Sequence, residues 1–377
     1  MTASTVDCRT LGILSMIIDS KAPTRIDLAG GTLDLWPLYL FFESPLTLNL
    51  GIDLWASTRL EAVRSGSSYA VLKTEDQKTE LKLPWDLILS DRPLEVPPQL
   101  ELHAKLLRFF ARKKGTPPHG MITLSTQAKS PAGAGLGGSS TLSVSLVGAL
   151  STWARDGDPP QTATEGERFI EIVRDIETTV IKVPAGVQDY YGSMFGGLQA
   201  LHWGAGAHRR ESLPESTLKE LEKRLLLFYS GQSRNSGINN WALFKAFIDG
   251  DQATREKFSA IHQATHSLLD ALTRQDWPAV GNSIASEWRA RRTLAPGITT
   301  ETMDQAFEAA LRLGASAGKV CGAGGGGCFF VYLPESADSA SGAQKRDQIR
   351  TAVESLGVRS LPFKSSPRGL EVRVTRA

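Results

Sequence analysis

Cysteine is scarce in this chain: three among 377 residues, Cys8, Cys321 and Cys328. Their spacing matches no disulfide framework, and no Cys-x-x-Cys pair exists, so a cysteine-stapled fold is excluded. An excess of either charge is also lacking. Lys and Arg number 42 against 40 Asp and Glu, with no basic stripe for nucleic acid and no charged tail. No window approaches the roughly 18 apolar residues of a membrane span. The N-terminal stretch has one early arginine and no long apolar core, which makes a poor secretory signal. His262 and His266 stand four apart, but the run reads His-Gln-Ala-Thr-His and lacks the glutamate of a zinc-protease helix. These absences predict a cytoplasmic enzyme with no nucleic-acid or membrane partner. The chain is long enough for two domains with ample core.

Glycine, in contrast, is concentrated. Residues 131–141 read Pro-Ala-Gly-Ala-Gly-Leu-Gly-Gly-Ser-Ser-Thr. The run before them, Gly120 to Thr126, alternates apolar and polar residues like a half-buried strand. The run after them, Thr141 to Leu150, is small and apolar like a packed helix. Glycine lets a backbone approach a ligand and aim several N–H groups at one point. A helix N-terminus adds about half a positive charge there. The strand–loop–helix segment is therefore an anion site, suited to nucleotide phosphates. It is not a Walker A loop, since no lysine lies between Ser130 and Asp156. Gly133, Gly135 and Gly138 fit a dinucleotide fingerprint, but Asp156 and Asp158 fall in a polar loop rather than at a strand end.

Strand-like runs cover Arg25–Leu28, Ala56–Val63, Met121–Thr126, Leu198–His202, Leu225–Tyr229, Gly326–Leu333 and Leu370–Val374. Helix-like runs cover Leu100–Arg112, Thr141–Trp153, Glu165–Thr178, Asn239–Phe247, Ala253–Arg274, Trp277–Leu294 and Thr300–Leu313. They do not alternate strictly, which predicts α+β rather than doubly wound α/β. The polar stretch Gly204–Ser216 predicts a domain boundary, drawn at 207/208. Ser336–Gln344, small and polar, reads as an exposed loop. No internal repeat is present.

Two more segments accompany the central loop. One is Lys21-Ala-Pro-Thr-Arg-Ile-Asp-Leu-Ala-Gly-Gly-Thr-Leu-Asp34. The other is Lys319-Val-Cys-Gly-Ala-Gly-Gly-Gly-Gly-Cys328. With these the chain resembles the GHMP kinases, the family of galactokinase, homoserine kinase, mevalonate kinase and phosphomevalonate kinase. The family's three motifs occur in order over residues 20 to 333. The AGGTxD form of the first motif is similar to sugar kinases for heptose phosphates and L-fucose; galactokinases carry GEHTD there. The resemblance implies an N-terminal domain like ribosomal protein S5 domain 2, residues 1–207, and a ferredoxin-like C-terminal domain, residues 208–377. The nucleotide would lie between them.

The resemblance also implies roles. ATP would be bound by Pro131, Gly133, Gly135, Leu136, Gly137, Gly138, Ser139, Ser140 and Thr141. Mg2+ would be held by Glu177 and by Ser139 or Ser140; the extra glycine of GLGGSS leaves that choice open. Both serines could equally be helix N-caps. Asp189 would be the catalytic carboxylate, twelve residues after Glu177 in the family's E…PxGxxD spacing. Arg25 would pair with it and stabilise charge on the transferred phosphoryl group. The acceptor would meet Gly30, Gly31, Thr32, Asp34, Gln188, Tyr191, Gly324 and Gly325. Tyr229 to Ser236 resembles a stretch of heptose-phosphate kinases, which makes Arg234 a candidate for an anionic part of the acceptor. The expected activity is ATP-dependent phosphorylation of a sugar or sugar phosphate. A neutral-sugar kinase of the fucokinase type and a non-catalytic sugar or nucleotide sensor are the alternatives; a decarboxylase is disfavoured by the glycine-rich loop. A homodimer is left open.

Overall fold

β1 (Ile13–Ala29) is the spine of the first of the two sheets that the described residues form. The computed structural model describes residues 13–64, 66, 68–115, 120–182, 185–232 and 240–376. β1 lies antiparallel to β2 (Leu46–Arg64), with Arg25 opposite Gly51. Pro23 falls at a shift in that register, where a strand tolerates a residue without an N–H. Then follow β3 (Tyr69–Thr74), β4 (Thr79–Pro84), α1 (Trp85–Leu89), α2 (Pro98–Lys114), β5 (Met121–Ala128), α3 (Gly138–Ala154), α4 (Ala163–Ile181), α5 (Gln188–Phe195), β6 (Leu198–His202) and β7 (Arg209–Ser212). The second half comprises α6 (Glu215–Glu222), β8 (Leu225–Tyr229), α7 (Asn240–Ile248), α8 (Gln252–Arg274), α9 (Trp277–Arg291), α10 (Glu301–Arg312), β9 (Ala317–Val320), β10 (Cys328–Tyr332), α11 (Ala340–Glu354), β11 (Arg359–Ser360) and β12 (Glu371–Thr375).

The first sheet runs β12-β1-β2-β5-β3-β4, with β6 on β2 and β7 on β6. Its β3–β5 pair is parallel. The second sheet, β11-β8-β10-β9, is antiparallel throughout. The architecture is α+β, as the lack of alternation predicts. On the edge away from β1, β2 serves two partners: Leu46–Leu50 pair with β6 and Ala56–Val63 with β5.

Among the described residues, three apolar clusters form the core. One packs α2, α3 and α4 on the first sheet through Ile18, Leu60, Phe110, Leu124, Leu146 and Phe169. A second joins the two sheets through Leu48, Leu50, Leu136, Leu198, Leu227 and Phe330. A third covers the second sheet with Phe228, Phe258, Met303, Phe329 and Ile349, and reaches Leu33 and Leu38 of the loop after β1. α3 is buried all round, from Ser140 to Trp153 apart from Leu142, which explains its small apolar composition. Cys321 and Cys328 are buried and unpaired, as expected of small core residues.

Some elements depart from expectation. β1 begins twelve residues before the expected Arg25: Ile13–Lys21 extend the strand by pairing with β2 and, from Ile17 on, with β12. Ser336–Gln344 is a loop only to Ser339. The Ser339 hydroxyl caps α11 by accepting the Gly342 N–H at 3.1 Å, and the helix starts at Ala340. The 207/208 boundary falls immediately before β7, which pairs with β6 in the first sheet. A polar turn inside a hairpin and an interdomain linker share one composition.

Candidate active site

Gly137, with φ 73° and ψ 27°, is the N-cap of α3, and among the described residues no side chain caps its first turn. A left-handed start needs glycine, and the absence of a capping side chain leaves the helix terminus to attract an anion. The loop before it is pinned from two sides. The Arg25 N–H donates to the Leu136 carbonyl at 3.2 Å, and the Cys328 N–H donates to the Ala134 carbonyl at 2.7 Å. The late glycine run thus lies directly against the central loop. At Gly327, with φ 80°, a Cβ would sit 2.8 Å from the carbonyl oxygens of Gly133 and Ala134. Gly324 and Gly325 line the same run, and the Gly325 N–H donates to Ile298. Pro131 closes the loop's first turn by accepting from Ala134.

Beside that helix start, Arg25 and Asp189 meet. Arg25 donates from Nε (2.9 Å) and Nη2 (2.6 Å) to Asp189 Oδ1, and from Nη1 to the Gly135 carbonyl at 2.7 Å. Arg25 is 3% exposed, whereas the Asp189 side chain is 24% exposed and open to a ligand. Burial alone would lower the Arg25 pKa; the charges of Asp189 and Asp27 outweigh it and hold the guanidinium above its ordinary value. Asp189 sits in the first turn of α5, and a Cβ on Gly137 would lie 3.2 Å from its carboxylate. Glycine at 137 is what lets the helix start and the carboxylate approach each other.

Glu177, on α4, lies against the same helix start. Its Oε1 accepts from Ser139 at 2.5 Å; its Oε2 accepts from Ser143 at 3.0 Å and Tyr190 at 2.9 Å. Burial, with the charge of Asp189, raises its pKa against the pull of those hydroxyls. Ser139 and Glu177 present paired oxygens of the kind Mg2+ prefers. Ser140 is buried and turns toward Tyr190. Thr141 is buried, with its hydroxyl 2.8 Å from Ser193 and donating to the Gly137 carbonyl.

The residues expected to meet the acceptor come from the turn after β1 and from α5. Gly30 and Thr32 both adopt positive φ, 78° and 74°. Asp34 is 2% exposed and accepts the Gln188 N–H at 3.1 Å. Burial, then the charge of Asp189, pushes its carboxyl up to about 6. The buried Gln188 amide lies beside Gly31.

Tyr191 does not join this group. One step along a helix is a turn of about 100°, and it carries the Tyr191 ring into an aromatic cluster with Phe195 and Trp203, at 5.7 and 6.0 Å between centroids. Arg234 lies outside the described residues. Four charged residues went unnoticed in the sequence: Asp27, Glu287, Arg291 and Lys319, each 3% exposed or less. Lys319 Nζ lies 3.2 Å from Asp27 Oδ1 and 3.1 Å from Glu287 Oε1, and Arg291 donates to Glu287 at 2.8 Å. The signals were faint. Asp27 shares a strand face with Arg25, Lys319 opens the late glycine motif, and Glu287 and Arg291 are four apart on one helix.

Comparison with known proteins matches residues 101–197 to the GHMP kinases N terminal domain and residues 268–353 to the GHMP kinases C terminal domain. A D-glycero-alpha-D-manno-heptose 7-phosphate kinase of Campylobacter jejuni is 25% identical over 323 residues, which are 84% of this chain and 89% of that protein. A bifunctional fucokinase/GDP-fucose pyrophosphorylase of Arabidopsis thaliana is 26% identical over 86% of this chain but 30% of its own length. The crystal structure of a D-glycero-D-manno-heptose 1-phosphate kinase from Bacteroides thetaiotaomicron superposes with a TM-score of 0.71 at 22% identity, covering 94% of this chain and 98% of that one.

Proposed function

This chain belongs to the GHMP kinase family, and from that premise we propose that it transfers the γ-phosphoryl group of ATP to a hydroxyl of a sugar phosphate, a heptose phosphate kinase-like activity. The observation that carries the reading is the Arg25–Asp189 pair beside the uncapped start of α3, with the buried Asp34 carboxyl next to it. The relatives with heptose phosphate kinase names support the acceptor class. The two-domain division belongs to the same reading, with Arg209–Ser212 and Glu371–Thr375 counted with the first sheet.

In this mechanism the N–H groups of the 133–140 loop and helix start receive the phosphates of ATP. Asp189 orients the acceptor hydroxyl and takes its proton as the oxygen attacks phosphorus. Arg25 holds Asp189 in place and, at the edge of the loop, meets negative charge growing on the transferred group. Asp34 and Gln188 accept and donate to sugar hydroxyls. Ser139 and Glu177 would hold Mg2+. When bound, the ion supplies charge neutralisation across the phosphates.

The test is an ADP-release screen over free and phosphorylated hexoses and heptoses, with mevalonate and homoserine as controls. Preferred turnover of a phosphorylated heptose supports the reading. Preferred turnover of a free sugar moves the chain to the fucokinase type. ATP binding without turnover of any acceptor leaves a sensor.

A further inference from the structure

We infer that Arg291, on a helix of the C-terminal half, is a positioning residue for the acceptor: it grips the turn that carries Asp34. The inference rests on the kinase reading above and adds a residue that belongs to none of its motifs. Arg291 is 3% exposed and its three donor positions are all engaged. Nε donates to Glu287 Oε1 at 2.8 Å, Nη2 to the Gly31 carbonyl at 2.5 Å, and Nη1 to the Thr32 hydroxyl at 3.2 Å. Two of these reach across the molecule to the turn after β1.

That turn needs holding. Thr32 is a β-branched residue at φ 74°, a left-handed conformation that such residues avoid. The conformation persists only where surrounding contacts fix it. Asp34 follows two residues later, and its carboxylate must face the acceptor. A planar guanidinium with three fixed donors suits the task better than a flexible ammonium.

The grip is itself anchored. Glu287, which orients Arg291, is also 3.1 Å from Lys319 Nζ. Lys319 is fully buried and reaches Asp27 through the Oδ1 carboxylate oxygen at 3.2 Å and the carbonyl at 3.3 Å. The positive charges of Lys319, Arg291 and Arg25 hold Asp27 ionised against its burial. Asp27 lies two residues beyond Arg25 on β1, on the same face. One buried chain of alternating charges therefore ties α9 and β9 to both the acceptor turn and the strand that holds the Arg25–Asp189 pair. A merely structural ion pair would not need to end on the backbone of the acceptor turn.

The experiment compares the full chain with Arg291→Lys and Thr32→Val, using D-glycero-α-D-manno-heptose 7-phosphate and ATP. Arg291→Lys keeps the buried charge and loses the forked donors. Its acceptor KM should rise about ten- to hundredfold, the loss of charge-assisted hydrogen bonds, with ATP KM within about twofold of wild type. Thr32→Val, which removes one of the three contacts, should move acceptor KM in the same direction by less. Hydrogen exchange of the 30–34 amides should quicken in Arg291→Lys with no acceptor present. If acceptor and ATP KM rise together, or neither moves, and 30–34 exchange stays as in wild type, the inference is overturned. Failure of the wild type itself to turn over the heptose phosphate sinks the substrate reading instead, and the exchange result alone then decides the role of Arg291.

Discussion

At the scale of single residues, the site separates groups by environment. Asp189 and Asp34 are both aspartates near one helix start, yet Asp189 is partly exposed and paired with Arg25, while Asp34 is buried with its carboxyl pushed up to about 6. The folded protein therefore binds the Asp34 proton more tightly than the unfolded chain does. This contribution favours the fold at low pH and is lost as pH rises from the ordinary carboxyl value, about 4, through about 6. In the role proposed for Asp34, acceptor binding would run the opposite way, because an ionised carboxylate accepts stronger hydrogen bonds from sugar hydroxyls. Acceptor KM should fall as pH rises through about 6 while ATP KM stays level, and Asp34→Asn should have a high acceptor KM without that slope. The same slope in Asp34→Asn would assign the titration elsewhere. Asp189→Asn should lower kcat about 10²- to 10⁴-fold with ATP affinity by calorimetry preserved; wild-type kcat in this variant would remove Asp189 from the chemistry. Arg25, Asp189, Glu177 and Asp34 stand out in the sequence because each sits in a motif, and the structure brings them together around Asp189. Asp27, Glu287, Arg291 and Lys319 do not, because what defines them is pairing across as many as 292 positions of chain, as in the bond from Lys319 to the Asp27 carbonyl.

At the scale of elements, two glycine loops do one job together. The central loop supplies the helix start, and the late loop braces it from behind through the Cys328–Ala134 hydrogen bond. The sequence displays both loops, but not that they touch, since a run of glycines says where a backbone can approach and not what approaches it. Helices with strong patterns and caps were legible nearly to the residue: α10 starts at Glu301, one residue after the expected Thr300, whose hydroxyl caps it by accepting the Met303 N–H. α11 was missed because Ala-Ser-Gly-Ala reads as loop until Ser339 is seen to cap it. Gly327→Ala tests the brace. The new Cβ would sit 2.8 Å from two carbonyl oxygens, at a left-handed φ that costs a non-glycine residue about 1–2 kcal/mol. Apparent Kd for ATP should weaken about tenfold or more, with far-UV circular dichroism unchanged. Unaltered ATP affinity would show that the late loop is dispensable to nucleotide binding.

At the scale of the whole molecule, the two sheets share a core, and β12 returns to pair with β1. The Gly51 N–H donates to Gly197, the Gly197 N–H to Ser366, and the Ser366 N–H to Gly51, at 2.8, 2.7 and 2.8 Å. From there the chain passes Met194, whose carbonyl accepts the Leu370 N–H at 3.0 Å, and ends in β12 along Ile17–Lys21 of β1. Val372 and Val374 pack on the first apolar cluster. The strand-like pattern of Leu370–Val374 was visible in the sequence; its partner, more than 350 residues earlier by the Ile17–Thr375 pairing, was not. This closure, with the cluster that joins both sheets, predicts that the two halves unfold as one unit. Calorimetry should show a single transition. A non-hydrolysable ATP analogue at 100 times its Kd should stabilise that transition by about 2.7 kcal/mol, because it binds only the folded form. Deleting residues 366–377 breaks the Gly51–Gly197–Ser366 ring of hydrogen bonds and uncovers the β1 edge, which then invites pairing with other chains. The truncated protein should melt several degrees lower, again in one step, and aggregate on heating. Two resolved transitions in the intact chain, only one of them shifted by the analogue, would mean that the shared core does not couple the halves, and the nucleotide would then report on one sheet alone.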